Sequence, residues 1–154
     1  MKSDFTARFE GFSPVPYQDP RGVWTIAFGA TRDIAGARVT AATPSVTREE
    51  GKALLERDLT AAWQAVAHLV LVPLNNDQET ALADFVYNVG AGAFAGSRVL
   101  SILNGGEFAA AAAQLMQWNL AAGKVFRGLV RRRAEEILLF LSAPLSGVLE
   151  GAQT

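Results

Sequence analysis

The stretch from Glu10 to Thr31 carries the side chains best suited to acid–base chemistry. Eight residues separate the carboxylates of Glu10 and Asp19, and the hydroxyl of Thr25 follows after five more. Hydrolysis of a glycosidic bond needs one carboxyl group to protonate the leaving oxygen and a second as base or nucleophile. Composition alone favours a structural interpretation, with an ordinary turn aspartate, a solvated glutamate and a strand threonine. The wider pattern must therefore decide between the two.

The residues before Glu10 predict a short helix that ends at this carboxylate. Ser3 or Asp4 is a suitable N-cap for it. The helix is expected to run through Phe9 and Glu10 before Gly11 ends it. Because a helix C-terminus disfavours a negative charge, this position suits a carboxylic acid that donates its proton.

The sequence Asp-Pro-Arg-Gly at positions 19–22 predicts a type I turn. The flanking segments, V-P-Y-Q and V-W-T-I-A-F, are rich in β-branched and aromatic residues, so the turn is expected to close a β-hairpin. Alternation along the second strand places Thr25 on the face away from the bulky side chains. Its hydroxyl is therefore expected to face a groove.

The rest of the chain is predicted to be mainly helical. A loop or third strand anchored by Ile34 and Val39 precedes a capping box at Thr47. That box begins an amphipathic helix ending at Leu69, about 33 Å long at the α-helical rise. The pattern predicts an α+β fold that is mostly α. Shorter helices are expected at Ala81–Asn88 with a cap at Asn76, at Phe94–Leu103, at Glu107–Trp118 and at Leu129–Leu141.

Length and composition narrow the possible functions. A chain of 154 residues with 50% hydrophobic residues suits one domain with a real core. The net charge of −1 provides no cationic field for nucleic acid. Cysteine is absent, and the single histidine, His68, is expected to be a partly buried structural residue. Neither a metal nor another cofactor is predicted.

The N-terminal sequence M-K-S-D-F-T-A-R-F-E has no apolar core typical of a signal peptide. No stretch reaches the eighteen or so apolar residues that a membrane span needs. We therefore expect a protein that is made in the cytoplasm and does not insert into a membrane. We also expect it to be a monomer.

The pattern of carboxylates and turn residues resembles the catalytic signature of the phage-type lysozymes, glycoside hydrolase family 24. In that family the segment typically reads E-G-x-x-x-x-x-Y-x-D-x-x-G-x-x-T-I-G-Y-G-H-T. The positions that match in register are Glu10, Gly11, Tyr17, Asp19, Gly22, Thr25, Ile26, Gly29 and Thr31.

Further matches extend the resemblance to about residues 5–141. They are A-L-A-D-F-V-Y-N-V-G from Ala81, the L-N-G-G run at Leu103, Trp118 with Gly123, and G-L-V-R-R-R-A-E-E from Gly128. The resemblance implies one two-lobe lysozyme domain over 1–154. Its expected parts are a small β lobe at about 12–46, a helical lobe from 1–11 and 70–143, a connecting helix at 47–69 and a tail at 144–154.

The resemblance also implies roles for individual residues. Glu10 would be the general acid, Asp19 the base or nucleophile, and Thr25 would hold the attacking water or the Asp19 side chain. One arginine of the 131–133 run would support the catalytic glutamate, and Arg132 is the favoured one. Candidate sugar contacts are Thr31, Tyr87, Asn88 and Ser97, with helix packing as the alternative for those on helices.

The implied activity is that of an endolysin-type muramidase. Such an enzyme cuts the β-1,4 bond between N-acetylmuramic acid and N-acetylglucosamine, and it waits in the host cytoplasm for a holin to open the membrane. Three positions depart from the family signature: Ala27, Phe28 and Ala30 replace glycine, tyrosine and histidine. They favour a less rigid small lobe and leave open a peptidoglycan-binding domain with weak or lost turnover. A lytic transglycosylase is a third option, against which the retained Asp19 and Thr25 argue.

Overall fold

The computed structural model describes residues 2–142 of the chain. The predicted tail at 144–154 lies outside the described residues. Helices cover most of the described part, so the expected α+β class with a helical majority is confirmed. The helices are α1 (Ser3–Ala7), α2 (Arg48–Leu69), α3 (Asn76–Val89), α4 (Ala91–Ala95), α5 (Arg98–Asn104), α6 (Phe108–Leu115) and α7 (Arg127–Leu141), and the strands are β1 (Ser13–Gln18), β2 (Trp24–Ala27), β3 (Leu120–Ala121) and β4 (Lys124–Val125).

The chain divides into two compact units, residues 1–65 and residues 66–154. The first unit contains the β1–β2 hairpin and most of α2, and the second contains the later helices. The assignment of the whole chain to one two-lobe domain stays a prediction. None of the described helices combines the length and the apolar character needed to cross a membrane.

The β1–β2 hairpin of the first unit forms as the sequence predicts. The strands are antiparallel, Tyr17 pairs with Thr25, and the register shifts between Ser13 and Tyr17. The second strand and the residues after it contribute to a small apolar core, in which Ile26, Ala27 and Ala30 are buried. This core also includes Val39 and Leu54, and Phe12, Trp24 and Val46 pack against it.

Two local predictions in the first unit are wrong. Helix α1 ends at Ala7, so Glu10 lies three residues beyond its last residue rather than at its C-terminus. The helix-end argument for a protonated Glu10 therefore loses most of its weight, because the dipole acts mainly within the last turn. Ile34 does not anchor its loop, since it is 75% exposed, whereas Val39 is buried as expected.

Helix α2 begins with the predicted capping box. The Glu50 N–H donates to Thr47 Oγ1 at 3.1 Å, and the Thr47 N–H donates to Glu50 Oε2 at 2.7 Å. The helix ends at Leu69 as expected. The expectation for His68 is wrong, because this side chain is exposed near the end of the helix.

The second unit corrects several element boundaries. The capping box of α3 uses Asn75 and Gln78, one residue earlier than the predicted cap at Asn76. The segment predicted as one helix from Phe94 to Leu103 is two helices, and Ser97 caps the second. The loop predicted around Gly123 contains the short β3–β4 hairpin. Helix α7 starts two residues before the predicted Leu129.

The core of the second unit forms where these helices pack together. Helices α3, α5 and α6 contact their neighbours along apolar faces, and α7 packs on both α3 and α6. Phe85 on α3 makes edge contacts with Phe94 and Trp118, with ring centroids 6.1 Å and 5.6 Å apart. Asn104 fastens the end of α2 here, since its side chain bonds the Leu69 carbonyl and the Leu71 N–H.

Ala27 has a backbone conformation that favours glycine. Its φ is +58°, in the left-handed region, where the family signature has glycine. A side chain in this region costs roughly 1–2 kcal/mol. The buried Ala27 Cβ faces Gly51 on α2, where an added Cβ would lie 3.1 Å from it and 2.7 Å from Phe12 Cε2. The absence of a Cβ at Gly51 therefore leaves space for the Ala27 Cβ and the Phe12 ring.

We predict that Ala27→Gly and Gly51→Ala are coupled in their effect on stability. Gly51→Ala should destabilise the protein, because overpacking costs about 1–3 kcal/mol and the gain in helix propensity is only about 1 kcal/mol. In the Ala27→Gly background the cost should fall by about 1 kcal/mol, since one of the two close contacts is gone. Urea unfolding of the two single variants and the double variant measures this coupling. An equal cost in both backgrounds would assign the clash to Phe12 alone.

Candidate functional site

Glu10 lines an open pocket in the first unit. The pocket has a volume of about 340 Å³, and Glu10 is half-buried at its edge. Phe12 and Tyr17 contribute aromatic surface to the pocket, and Gly29 contributes backbone. An acid in an open pocket beside a tyrosine and a phenylalanine is suitably placed to meet a sugar oxygen.

Asp19 organises the turn between β1 and β2. Its Oδ1 accepts the backbone N–H groups of Arg21 at 2.8 Å and Val23 at 2.9 Å. The Gly22 N–H donates to the Asp19 carbonyl at 2.8 Å, and Gly22 has a φ of +80° that glycine adopts without strain. The predicted turn is therefore present, and the aspartate side chain helps to form it.

The second carboxylate oxygen, Asp19 Oδ2, faces Arg21. The guanidinium donates to it from Nε at 3.3 Å and from Nη2 at 3.2 Å. The hydrogen bond from the Val23 N–H is the largest cause that holds the pKa of Asp19 below its usual value, and the Arg21 N–H and guanidinium act in the same direction. Asp19 is therefore a carboxylate at neutral pH.

Asp33 forms a second turn with the same hydrogen bonds. Its Oδ1 accepts from the Ala35 and Ala37 N–H groups at 3.0 Å and 2.9 Å, and Gly36 has a φ of +84°. The side chain that precedes each aspartate, Gln18 or Arg32, donates to the carbonyl of the glycine in its turn. The sequence pattern D-x-x-G thus produces the same turn twice.

The two turns differ in what surrounds them. Arg57 on α2 donates to the backbone carbonyls of Arg32 and Asp33, so the second turn is fastened to the helix. The first turn carries the ion pair of Asp19 with Arg21, whose side chain is 82% exposed. The first turn also adjoins the strand that leads to Tyr17 and the Glu10 pocket. Asp33 is therefore an internal control for a purely structural aspartate.

Thr25 is buried rather than open to a groove, which corrects that prediction. It is only 4% exposed, and its hydroxyl donates to the Val23 carbonyl at 2.9 Å. The same Val23 residue donates its N–H to Asp19 Oδ1. Thr25 thus braces the residue that holds Asp19, and it pairs with Tyr17 beside the Glu10 pocket.

Thr31 is exposed and lines a different pocket of the first unit, with a volume of about 480 Å³. Its backbone carbonyl accepts the Val39 N–H at 3.0 Å. The structure therefore places Thr31 apart from the Glu10 pocket, although Gly29, two residues earlier, lines that pocket.

The candidate sugar contacts of the second unit divide into two groups. Tyr87 is half-buried and Asn88 is exposed near the end of α3, and Asn88 accepts a hydrogen bond from Arg133. Ser97 is buried, accepts the Leu100 N–H at 3.2 Å and donates to the Phe94 carbonyl at 2.7 Å. Capping alone accounts for a serine at position 97, so the packing interpretation fits this residue best.

The arginines at 131–133 occupy three environments. Arg131 is on the solvated face and pairs with Glu135. Arg132 is buried and makes a bidentate ion pair with Asp84 on α3, with Nη2 2.8 Å from Oδ1 and Nε 2.9 Å from Oδ2. Arg133 is fully buried beneath the Phe85 ring, 4.9 Å from its centroid. The ion pair with Asp84 gives Arg132 a structural role, and its support of Glu10 remains a proposal.

Comparison with known proteins identifies the family. Residues 7–136 match the phage lysozyme family. The chain belongs to the phage lysozyme family. The endolysin of Salmonella phage P22 is 42% identical over 135 residues, which cover 88% of this chain and 91% of that protein. The SAR-endolysin of Escherichia phage Mu is 39% identical over 132 residues, which cover 85% and 73%.

A solved structure agrees with this phage lysozyme assignment. A crystal structure of a P22 lysozyme mutant matches with a TM-score of 0.84 at 37% identity, covering 92% of this chain and 95% of that chain. The expected lysozyme-like fold is therefore confirmed. Within residues 2–142 no cluster of His, Cys, Asp or Glu side chains is arranged to hold a metal ion.

Sequence reasoning missed two buried acids of this phage lysozyme. Asp84 is fully buried on α3, and Glu136 is fully buried on α7, with Oε2 3.1 Å from Arg133 Nη1. A signal was present, because Asp84 falls within the apolar stripe of α3, three residues after Ala81. A charged residue on a buried face predicts a buried partner.

Burial raises the pKa of Glu136 to about 10, and a carboxyl hydrogen bond with Asp84 acts in the same direction. The nearby guanidinium of Arg133 opposes this rise but does not cancel it. In the folded protein Glu136 is therefore a neutral acid, whereas a glutamate in the unfolded chain titrates near about 4.3.

We predict that Glu136 makes the protein less stable as pH rises. From about pH 4.3 to about pH 10 the unfolded chain loses a proton that the folded chain keeps, so the free energy of unfolding falls with pH. Glu136→Gln, which cannot titrate, should therefore gain stability relative to the native protein between about pH 4 and about pH 8. Urea unfolding at the two pH values measures the difference, with Glu135→Gln as the matched control. A difference independent of pH would show that Glu136 is ionised and paired with Arg133.

Proposed function

We propose that this lysozyme is an endolysin-type muramidase in which Glu10 is the general acid and Asp19 the base or nucleophile. As a phage lysozyme, the chain is a hydrolase that acts on peptidoglycan. The proposed bond is the β-1,4 linkage between N-acetylmuramic acid and N-acetylglucosamine. The observation that carries the proposal is the strand connection between the two carboxylates: Glu10 shares its pocket with Tyr17, and Asp19 lies two residues after Tyr17.

The two oxygens of Asp19 are proposed to have separate tasks. Oδ1 is occupied by two backbone N–H groups and fixes the orientation of the carboxylate. Oδ2 contacts the guanidinium of Arg21, which is largely in solvent and free to move aside when a sugar binds. Oδ2 is therefore the oxygen proposed to act on water or on the sugar. The lowered pKa of Asp19 keeps it in the carboxylate form that this role requires.

Thr25 is proposed to act through Asp19. Its hydroxyl holds the Val23 carbonyl, and the Val23 N–H holds Asp19 Oδ1. Of the two roles expected for this threonine, the geometry supports holding the Asp19 side chain. Thr31, Tyr87 and Asn88 remain candidates for sugar contacts.

The alternative is a peptidoglycan-binding domain with weak or lost turnover. Its motivation is the departure from the family signature at Ala27, Phe28 and Ala30, all of which are buried. These replacements are apolar, so none adds a buried polar atom that lacks a hydrogen-bond partner, and the side chains of Glu10, Asp19 and Thr25 are all retained. A protein that sediments with cell walls yet releases no reducing ends would favour this alternative.

We further propose that the enzyme acts as a monomer and reaches the wall through a membrane opened by a holin. Its relatives are named as endolysins, and some of them as SAR-endolysins. An enzyme that depends on a holin is harmless to the cell that makes it until the membrane is opened.

Production of the protein inside Gram-negative cells tests two assignments. These are Glu10 as the general acid and access to the cell wall through an opened membrane. The native protein should leave the culture turbid until chloroform opens the membrane, and the culture should then clear. Glu10→Gln should reduce the rate of clearing at least about 100-fold, since a positioned general acid contributes about 10²–10⁴ to the rate. Equal unfolding midpoints would show that both proteins fold. Clearing without chloroform would contradict the holin route, and clearing by Glu10→Gln would contradict the assignment of the acid.

The duplicated turn allows a matched test of Asp19. Asp19→Asn and Asp33→Asn each keep a side-chain oxygen for the backbone N–H groups and remove one negative charge. Asp19→Asn should lower kcat on purified peptidoglycan by about 10² or more, as loss of a catalytic base does. Asp33→Asn should keep kcat within about threefold, because Asp33 has no proposed contact with the reacting atoms and its carboxylate oxygen serves the turn. Equal losses in both variants would mean that Asp19 serves the turn alone.

A further inference from the structure

A second pocket adjoins the Asp19 turn. It has a volume of about 480 Å³, and the residues at the end of that turn, Gly22 and Val23, form part of its wall. Arg32 and Arg38 also line this pocket, and so does Thr31. The lining therefore combines apolar surface with two positively charged side chains.

The two arginines face each other without an acidic partner. Arg32 and Arg38 are directly opposite in an antiparallel bridge, where two like charges destabilise the pair. Arg32 gives one N–H to the Gly36 carbonyl, which leaves the rest of its guanidinium available. Among residues 2–142 no carboxylate forms an ion pair with either arginine. An anion between the two guanidinium groups would relieve their repulsion.

The other side chains restrict the kind of anion. Thr31 and Thr40 carry hydroxyls that can donate to an oxygen, and Trp24 provides apolar surface. Guanidinium groups bind planar carboxylates through paired hydrogen bonds. The pocket therefore suits a carboxylate attached to a small organic group.

We propose that this pocket binds a carboxylate of the peptide stems of peptidoglycan, an inference that rests on the proposed function. In stem-bearing glycan the lactyl carboxyl of muramic acid is consumed by the amide bond to the peptide, so the anionic groups belong to the peptide. The pocket adjoins the turn that holds Asp19, and Gly29, which lines the Glu10 pocket, lies two residues before Thr31. The proposal places the stem of a bound glycan against the side of this turn, in the same unit as Glu10 and Asp19.

The test compares Arg32→Gln/Arg38→Gln with the native enzyme on soluble, uncross-linked glycan strands. One batch carries native stems, and a second has stem carboxyls converted to amides with carbodiimide and ammonia. On native stems the KM of the double variant should rise about tenfold, the effect of losing about 1.4 kcal/mol of binding, with kcat within about twofold. On amidated stems the two enzymes should have the same KM. Arg98→Gln/Arg127→Gln, with the same change in net charge, should behave as the native enzyme does.

Three results would overturn the proposal. They are an unchanged KM on native stems, an equal rise on amidated stems, and the same rise in the control variant. Calorimetric titration of a free stem tripeptide, alanyl-γ-glutamyl-diaminopimelate, supplies a readout that does not need turnover. If the native enzyme cuts neither batch, the proposed function fails, and the titration still decides whether the two arginines bind the stem.

Discussion

The hydrogen bonds from the Asp19 carboxylate to its own turn are the constraint on which the proposed site depends. They set the direction of the carboxylate, the geometry of Gly22 and the register that brings Tyr17 opposite Thr25. The carboxylate is thus positioned locally, and Thr25 braces the Val23 residue that donates to it. The same arrangement at Asp33 shows that this turn forms wherever the local sequence permits, so the turn makes a site possible without creating one.

The elements with strong local signals could be predicted from the sequence, and those decided by competition between neighbouring residues could not. The capping box of α2 has one arrangement, and it was predicted correctly. At the start of α3 the residues N-N-D-Q-E offer two overlapping boxes, and the first of them forms. The break at Ser97 was hidden because the apolar pattern continues across it. The β3–β4 hairpin has only two residues in each strand, too few for alternation to be visible.

In the candidate site, too, local features could be predicted from the sequence and long-range contacts could not. Glu10, Asp19 and Thr25 became candidates because they lie on one short stretch whose hairpin could be predicted, and the family resemblance gave them their expected roles. The burial of Thr25 was missed because alternation gives the face of a strand but not what covers that face. Arg132 pairs with an aspartate 48 residues away, and no local rule separates such an arginine from the solvated Arg131. Interactions that join distant segments need the structure.

The close approach of Ala27 to Gly51 means that the residues tolerated at these two positions, on different elements, depend on each other. A Cβ added at 51 would lie 3.1 Å from the Ala27 Cβ, so a larger residue at 51 would crowd an alanine at 27. A chimaera of two phage lysozymes with its crossover between β2 and α2 would separate these partners and could unite an alanine with a larger residue. Crossovers that keep residues 27–51 together avoid that mismatch. The hairpin and the first turns of the following helix are therefore exchanged most safely as one block.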